Sequence, residues 1–79
     1  MKEFCLEFIL NSYNATEKTI RASLKGFASG LDVAKQENIN NGAPYDFKIN
    51  LRSDDPTIIF DICSQLGRIK SIKINESVD

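Results

Sequence analysis

The chain has 79 residues, of which 42% are hydrophobic and 27% charged, and its formal net charge is −1 at pH 7. This length accommodates one domain, and the composition is too apolar for an intrinsically disordered chain. Ten basic residues against eleven acidic ones give no overall field that would attract nucleic acid or an anionic membrane. We therefore expect a single folded domain over residues 1–79, whose partner is not a charged polymer.

The two cysteines, Cys5 and Cys63, are too few for a disulfide framework or a four-ligand metal site. This cysteine usage favours a reducing, cytoplasmic location. Glu3 and Glu7 interrupt the apolar start of the chain, which favours a strand there over a secretion signal. No stretch approaches the roughly 20 apolar residues that cross a bilayer, so we expect no membrane-spanning segment.

Four segments have the pattern of β-strands. They span residues 1–10, 31–37, 45–52 and 69–75. The first and third place large apolar residues at every second position, the period that buries one face of a strand. In the last strand Ile72 and Ile74 are expected to point inward. Residues 38–44 are rich in turn-forming residues and predict a hairpin loop.

The first helix is predicted over residues 14–29. Asn14 and Glu17 have the spacing of a capping box, in which the side chain of each satisfies a backbone N–H of the other. Gly30 follows as a left-handed stop. The apolar stripe of this helix consists of Ile20, Leu24 and Phe27.

The second helix is predicted over residues 55–66. Asp55 supplies a cap, Pro56 occupies the first turn, and Gly67 ends the helix. The apolar stripe consists of Ile59, Ile62, Cys63 and Leu66. The two halves of the chain thus repeat one order of elements with little residue identity between them.

The order β-α-β-β-α-β resembles the ferredoxin-like sandwich, an α+β fold with two helices on one face of a four-stranded antiparallel sheet. The resemblance implies a strand order of four, one, three, two, with the first and third strands in the centre. The open face of the sheet would then be mainly polar. Its central residues would be Cys5, Glu7, Ile9, Asp46, Lys48, Asn50 and Arg52.

Three activities of proteins with this build require residues that the chain lacks at the corresponding places. RNA-recognition motifs stack bases on aromatic residues of the open face, whereas the aromatic residues of these two strands lie in the inward set: Phe4, Phe8, Tyr45 and Phe47. Heavy-metal carriers use paired cysteines in the first loop, and acylphosphatases use a glycine-rich loop with an arginine. Residues 11–15 contain neither arrangement.

No catalytic residue is predicted. The chain has no histidine, the commonest general base and the usual partner of a Ser or Cys nucleophile. Asp54 and Asp55 are adjacent acids, but a helix cap and a solvated neighbour account for them better than acid–base chemistry does. Cys63 is interpreted as a core residue and Cys5 as a partly buried thiol. We expect a protein that is not an enzyme and holds no metal or cofactor.

Residues 52–67 resemble the strand-to-helix passage of ACT domains, small-molecule sensors that commonly read Asp-x-Pro-Gly before an apolar helix. Here Asp54 and Pro56 match, and Thr57 stands at the glycine position. The resemblance implies a ligand site in the first loop, and its candidate residues are Asn11, Ser12 and Asn14. The alternative is that these three residues only form a turn and a cap.

Three apolar residues are candidates for an interface: Phe60 and Ile58, which lie outside the stripe of the second helix, and Ile9 on the open face. Phe60 fits equally well as a side chain that laps over the edge of the sheet. The predicted function is a small regulatory or ligand-sensing module that binds a small metabolite and works as a homo-oligomer. Two alternatives stay open, a protein–protein adaptor with no small ligand and a single-stranded nucleic-acid binder.

Overall fold

The computed structural model describes residues 3–36 and 44–77. The elements, in chain order, are β1 (Glu3–Ser12), α1 (Glu17–Leu24), β2 (Ser29–Gln36), β3 (Tyr45–Ser53), α2 (Pro56–Leu66) and β4 (Arg68–Ser77). The predicted α+β class, with a four-stranded antiparallel sheet and two helices, is confirmed. Most of the predicted hairpin loop, residues 38–43, lies outside the described residues.

The sheet has the strand order β2-β3-β1-β4, so β1 and β3 lie in its centre. Leu6 of β1 lies opposite Leu51 of β3 on one side and opposite Ile74 of β4 on the other. Residues opposite one another in antiparallel strands share a face. The alternation in β1 and β3 therefore gives the sheet one apolar and one mainly polar side.

One hydrophobic core lies between the apolar side of the sheet and the two helices. Its most buried members are Leu6, Phe8, Leu10, Ile20, Leu24, Phe47, Ile49, Leu51, Ile59 and Cys63. Full burial of a Leu, Ile or Phe side chain contributes about 1.5–3 kcal/mol relative to its exposure. Because both helices share this core with a single set of strand residues, they cover the same face and leave the other face open.

Helix α1 begins two residues later than the predicted capping box allows. Its cap is Thr16, whose hydroxyl oxygen accepts a hydrogen bond from the backbone N–H of Thr19 at 3.2 Å. The backbone N–H of Asn14 instead donates to the hydroxyl oxygen of Ser12 at 3.3 Å. The prediction that Asn14 caps the helix is therefore wrong, because a turn centred on Ser12 holds Asn14 before the helix starts.

Helix α1 also ends earlier than residue 29. Its last residue is Leu24, and Gly26 adopts a left-handed conformation with φ of +90°. Phe27, predicted in the apolar stripe, lies in the following loop and is 50% exposed. The predicted stop, Gly30, lies within β2. The helix is shorter because Lys25 leaves helical geometry, with ψ of 129°, and Gly26 turns the chain toward β2, which begins at Ser29.

Helix α2 follows the sequence pattern within one residue at its start. The carboxylate of Asp55 accepts a hydrogen bond from the backbone N–H of Ile58 at 3.4 Å, as predicted for a cap. At the other end the backbone N–H of Gly67 donates to the carbonyl oxygen of Cys63 at 3.1 Å. Strand β4 begins immediately afterwards, so a single residue joins α2 to β4.

Strand β4 contains a bulge. The register with β1 shifts between Glu7 and Ile9, and Ser71 adopts φ of 56°. Two residues of β4, Ser71 and Ile72, consequently lie opposite Phe8 alone. The predicted inward isoleucines Ile72 and Ile74 are 50% and 48% exposed. Pairing with Leu6 places Ile74 on the helix side, but the edge position of β4 leaves half of it uncovered. The prediction that Ile72 and Ile74 point inward therefore gives the correct side of the sheet for Ile74 but overestimates the burial of both side chains.

Candidate functional site

A cleft lies at the corner of the molecule where β1 ends and β4 begins. It has a volume of about 370 Å³ and is lined by Asn11, Ser12, Tyr13, Asn14, Leu66, Gly67 and Arg68. We call it the corner cleft. The structure therefore brings the three predicted ligand-site residues together around one depression.

Ser12 forms the wall of the corner cleft and is 2% exposed. Its hydroxyl donates to the carbonyl oxygen of Leu66 at 2.7 Å and accepts from the backbone N–H groups of Asn14 and Ala15 at 3.3 and 3.0 Å. A hydroxyl has one donor and two acceptor sites, so these three bonds use its full capacity. Ser12 is a structural residue that joins the first loop to the end of α2.

Asn11 is also partly engaged within the protein. Its amide nitrogen donates to a carboxylate oxygen of Asp46 at 2.7 Å, and the same oxygen lies 3.4 Å from the ammonium of Lys70. This contact orients the Asn11 side chain across three strands on the polar side of the sheet. Asn14 differs, because its side chain is exposed at the mouth of the cleft.

Of the lining residues that were not predicted from the sequence, two have exposed side chains able to contact a ligand. Tyr13 is 69% exposed, and Arg68 is an exposed residue at the start of β4. An aromatic ring supplies a flat apolar surface, and a guanidinium binds carboxylate or phosphate through two parallel hydrogen bonds. Tyr13 lies in the predicted loop, so its sequence position alone could have identified it as a site residue. Arg68 is distant in sequence and reaches the cleft only because β4 pairs with β1 at Asn11.

Gly67 sets how closely the two sides of the corner cleft approach. A Cβ atom at this position would overlap the backbone oxygen of Asn11 and lie 2.9 Å from the Cβ of Ser12. Any larger residue therefore requires the first loop and the α2–β4 junction to move apart. The floor of the cleft depends on a glycine whose role is steric.

The open face of the sheet carries a charge cluster in its middle. The carboxylate of Glu7 lies 4.0 Å from the ammonium of Lys48 and 3.7 Å from that of Lys73. Among the described residues of this face none is aromatic, so base stacking has no platform there. Ile9 lies between Lys48 and Lys70 and is partly buried.

The other two candidate interface residues have different environments. The ring of Phe60 packs edge-on against Phe8 with ring centroids 5.5 Å apart. This contact uses part of the Phe60 surface within the core. Ile58 is 39% exposed.

The two cysteines are free thiols in different surroundings. Cys63 is fully buried on the core side of α2, and burial raises the pKa of its thiol to about 11. Cys5 is partly buried on the open face, opposite Arg52 of β3 and Asn75 of β4. Within residues 3–36 and 44–77, no cluster of three acidic, cysteine or histidine side chains could hold a metal ion.

No helix within the described ranges has the length and apolarity needed to cross a membrane. No protein-family model, curated protein or solved structure matches the chain. The function is therefore inferred from the geometry of the chain itself.

Proposed function

We propose that this chain is a non-enzymatic regulatory module that senses a small metabolite in the corner cleft, as the resemblance to ACT domains implies. The observation that carries the proposal is the convergence of Tyr13, Asn14 and Arg68 on one depression. The proposed fold is ferredoxin-like, and the order β4-β1-β3-β2 with both helices on one face supports it.

The lining of the corner cleft defines the class of ligand. Arg68 supplies a fixed positive charge with paired donors, Tyr13 an aromatic surface, and Asn14 an amide that both donates and accepts. A volume of about 370 Å³ suits a compact molecule, since pockets for small ligands span about 300–1,000 Å³. The proposed ligand is an amino acid or another small carboxylate with an apolar or planar group.

The position of the corner cleft gives the ligand a route to regulation. The cleft joins the loop after β1 to the junction between α2 and β4, two segments that the Ser12–Leu66 hydrogen bond already connects. A ligand held by Tyr13 and Arg68 would add a second connection between the same segments. Binding would therefore stabilise the contact between the two halves of the domain.

A protein–protein adaptor is the second candidate function. Ile72 and Ile74 are each about half exposed on one side of edge strand β4. Adjacent exposed isoleucines on a small domain favour association with a protein surface. A homo-oligomer through this side is compatible with both candidate functions.

A thermal-shift screen of amino acids and small carboxylates tests the proposed function. A ligand present at 100 times its dissociation constant stabilises the folded state by about 2.7 kcal/mol, and a shift of this size raises the melting temperature by about 10 °C or more in a domain this small. We expect Arg68→Gln to abolish the shift.

Arg21→Gln is the matched control, because it removes the same charge as Arg68→Gln. Arg21 is exposed on α1 and lies outside the cleft. Its ion pair with Glu17 is an exposed one of small energetic value. A flat response over a broad panel would favour the adaptor instead.

A further inference from the structure

We propose that the open face of the sheet carries a second binding site, a cleft for a small carboxylate- or phosphate-bearing anion with Arg52 as its principal contact. The cleft has a volume of about 420 Å³, and its polar side chains are those of Cys5, Glu7, Asn50, Arg52, Lys73 and Asn75, with Gly30 at the rim. It lies at the opposite end of β1 from the corner cleft. The proposal therefore does not depend on the function assigned above.

The strand register builds this open-face cleft from two neighbouring rows. In one row Cys5 of β1 lies between Arg52 of β3 and Asn75 of β4. In the next row Glu7 lies between Asn50 and Lys73. The guanidinium, the ammonium and the two side-chain amides all donate hydrogen bonds. Four donor side chains thus surround one depression on a rigid sheet.

Gly30 fixes the side of the cleft formed by β2. The register between β2 and β3 shifts between Ser29 and Asp32, and Gly30 adopts φ of +60° at this bulge. A Cβ atom at Gly30 would stand 3.5 Å from both Nε and Nη2 of Arg52. The guanidinium therefore lies beside the backbone of β2, at ordinary van der Waals distance from this position.

The charges around the cleft are not balanced. Lys48 and Lys73 share the single carboxylate of Glu7. Within the described part of the chain, the Arg52 guanidinium has no carboxylate within ion-pair distance. Asp32 lies beyond Asn50 on β2 and does not line the cleft. An anion at Arg52 would supply the missing negative charge, and charge-assisted hydrogen bonds to a guanidinium are strong and geometrically specific.

Nuclear magnetic resonance titration of the full chain at low ionic strength tests the site with two probes, inorganic phosphate and succinate. We expect saturable shifts of the side-chain amide signals of Asn50 and Asn75. Arg52→Gln should weaken the binding at least about tenfold, the effect of losing one charged hydrogen-bond partner, while Arg21→Gln leaves it unchanged. A response to phosphate alone, to succinate alone or to both assigns the ligand class.

Two results would overturn the proposal: no saturable shift with either probe, or equal affinities in wild type and Arg52→Gln. Because Arg52 is exposed, its replacement should leave the fold intact, and Lys73→Gln provides a second variant with an expected smaller loss of affinity. A negative titration at the open-face cleft does not change the thermal-shift comparison of wild type with Arg68→Gln at the corner cleft. The two proposals are therefore tested separately.

Cys5 provides an independent reporter within the same cleft. Iodoacetamide should alkylate Cys5 and spare Cys63, because Cys63 is buried and burial raises the pKa of its thiol. A saturating concentration of the bound anion should slow the alkylation of Cys5 several-fold in wild type and not in Arg52→Gln, as measured by mass spectrometry. An unchanged rate in wild type would contradict occupancy of this cleft.

Discussion

The two halves of the molecule share an order of elements but join helix to strand in different ways. In the first half a loop over residues 25–28 leads from α1 to β2, and nothing lies within 4 Å of a Cβ placed at Gly26. In the second half Gly67 alone leads from α2 to β4, directly against Asn11. The same pattern of elements therefore contains one junction set by local conformation and one set by contact with the other half.

Alanine substitution at the two junction glycines should separate these two kinds of constraint. Gly67→Ala is expected to lower the free energy of unfolding by about 3 kcal/mol, because its Cβ overlaps the Asn11 backbone and the junction must move. Gly26→Ala should cost about 1 kcal/mol, the price of a left-handed conformation in a site with free space. Urea unfolding measures both, and equal losses would show that the second junction is not sterically determined.

A second contrast between the halves is the ionisable group that α2 buries. The thiol of Cys63 has a pKa of about 11, raised by burial from 9.0. Below pH 9 the thiol is neutral in both states, and its contribution to stability is fully present. As the pH rises from 9 to 11, the unfolded chain ionises while the folded one does not, so stability falls by about 2–3 kcal/mol.

Cys63→Ala should remove this part of the pH dependence. Tyrosines and lysines also titrate in the range, so the measured quantity is the difference in unfolding free energy between the two proteins at each pH. That difference should be constant below pH 9 and shift in favour of the variant above it. Parallel profiles through pH 11 would contradict the burial of the thiol.

The smallest expected effect concerns the helix caps. Thr16→Ala and Asp55→Ala should each lower the free energy of unfolding by about 1 kcal/mol, because each side-chain oxygen accepts a backbone N–H at the start of its helix. Asn14→Ala should change stability by less than about 0.5 kcal/mol, as for an exposed residue outside a cap. A larger loss of unfolding free energy for Asn14→Ala than for Thr16→Ala would show that Asn14, and not Thr16, caps α1.

The core was predictable because its signal is local. The alternation in β1 and β3 depends only on the period of a strand. The positions of Ile20 and Leu24 in α1, and of Ile59 in α2, depend only on the period of a helix. The start of α1 was not predictable in this way, since both Asn14 and Thr16 are good caps. The hydroxyl of Ser12 accepts from the backbone N–H of Asn14 and donates to the carbonyl of Leu66, 54 residues away, and this contact holds Asn14 before the helix.

The candidate sites were less predictable than the core, because both depend on pairing across strands. Simple alternation in the last strand places Ile69 and Lys73 on the same face. The bulge at Ser71 reverses this, so that Ile69 pairs with Leu10 on the helix side and Lys73 with Glu7 on the open face. A second bulge, at Gly30, shapes the open-face cleft, and the sequence pattern assigned that glycine to a helix end.

The bulge at Ser71 also determines how β4 can meet another molecule. A straight edge strand offers a continuous row of backbone donors and acceptors on which a further strand can grow, and this is a route to aggregation. The left-handed residue in β4 interrupts that row, and Lys70 and Lys73 flank the interruption. Two copies that met at this edge would therefore contact each other through side chains such as those of Ile72 and Ile74, without a continuous ladder of backbone hydrogen bonds.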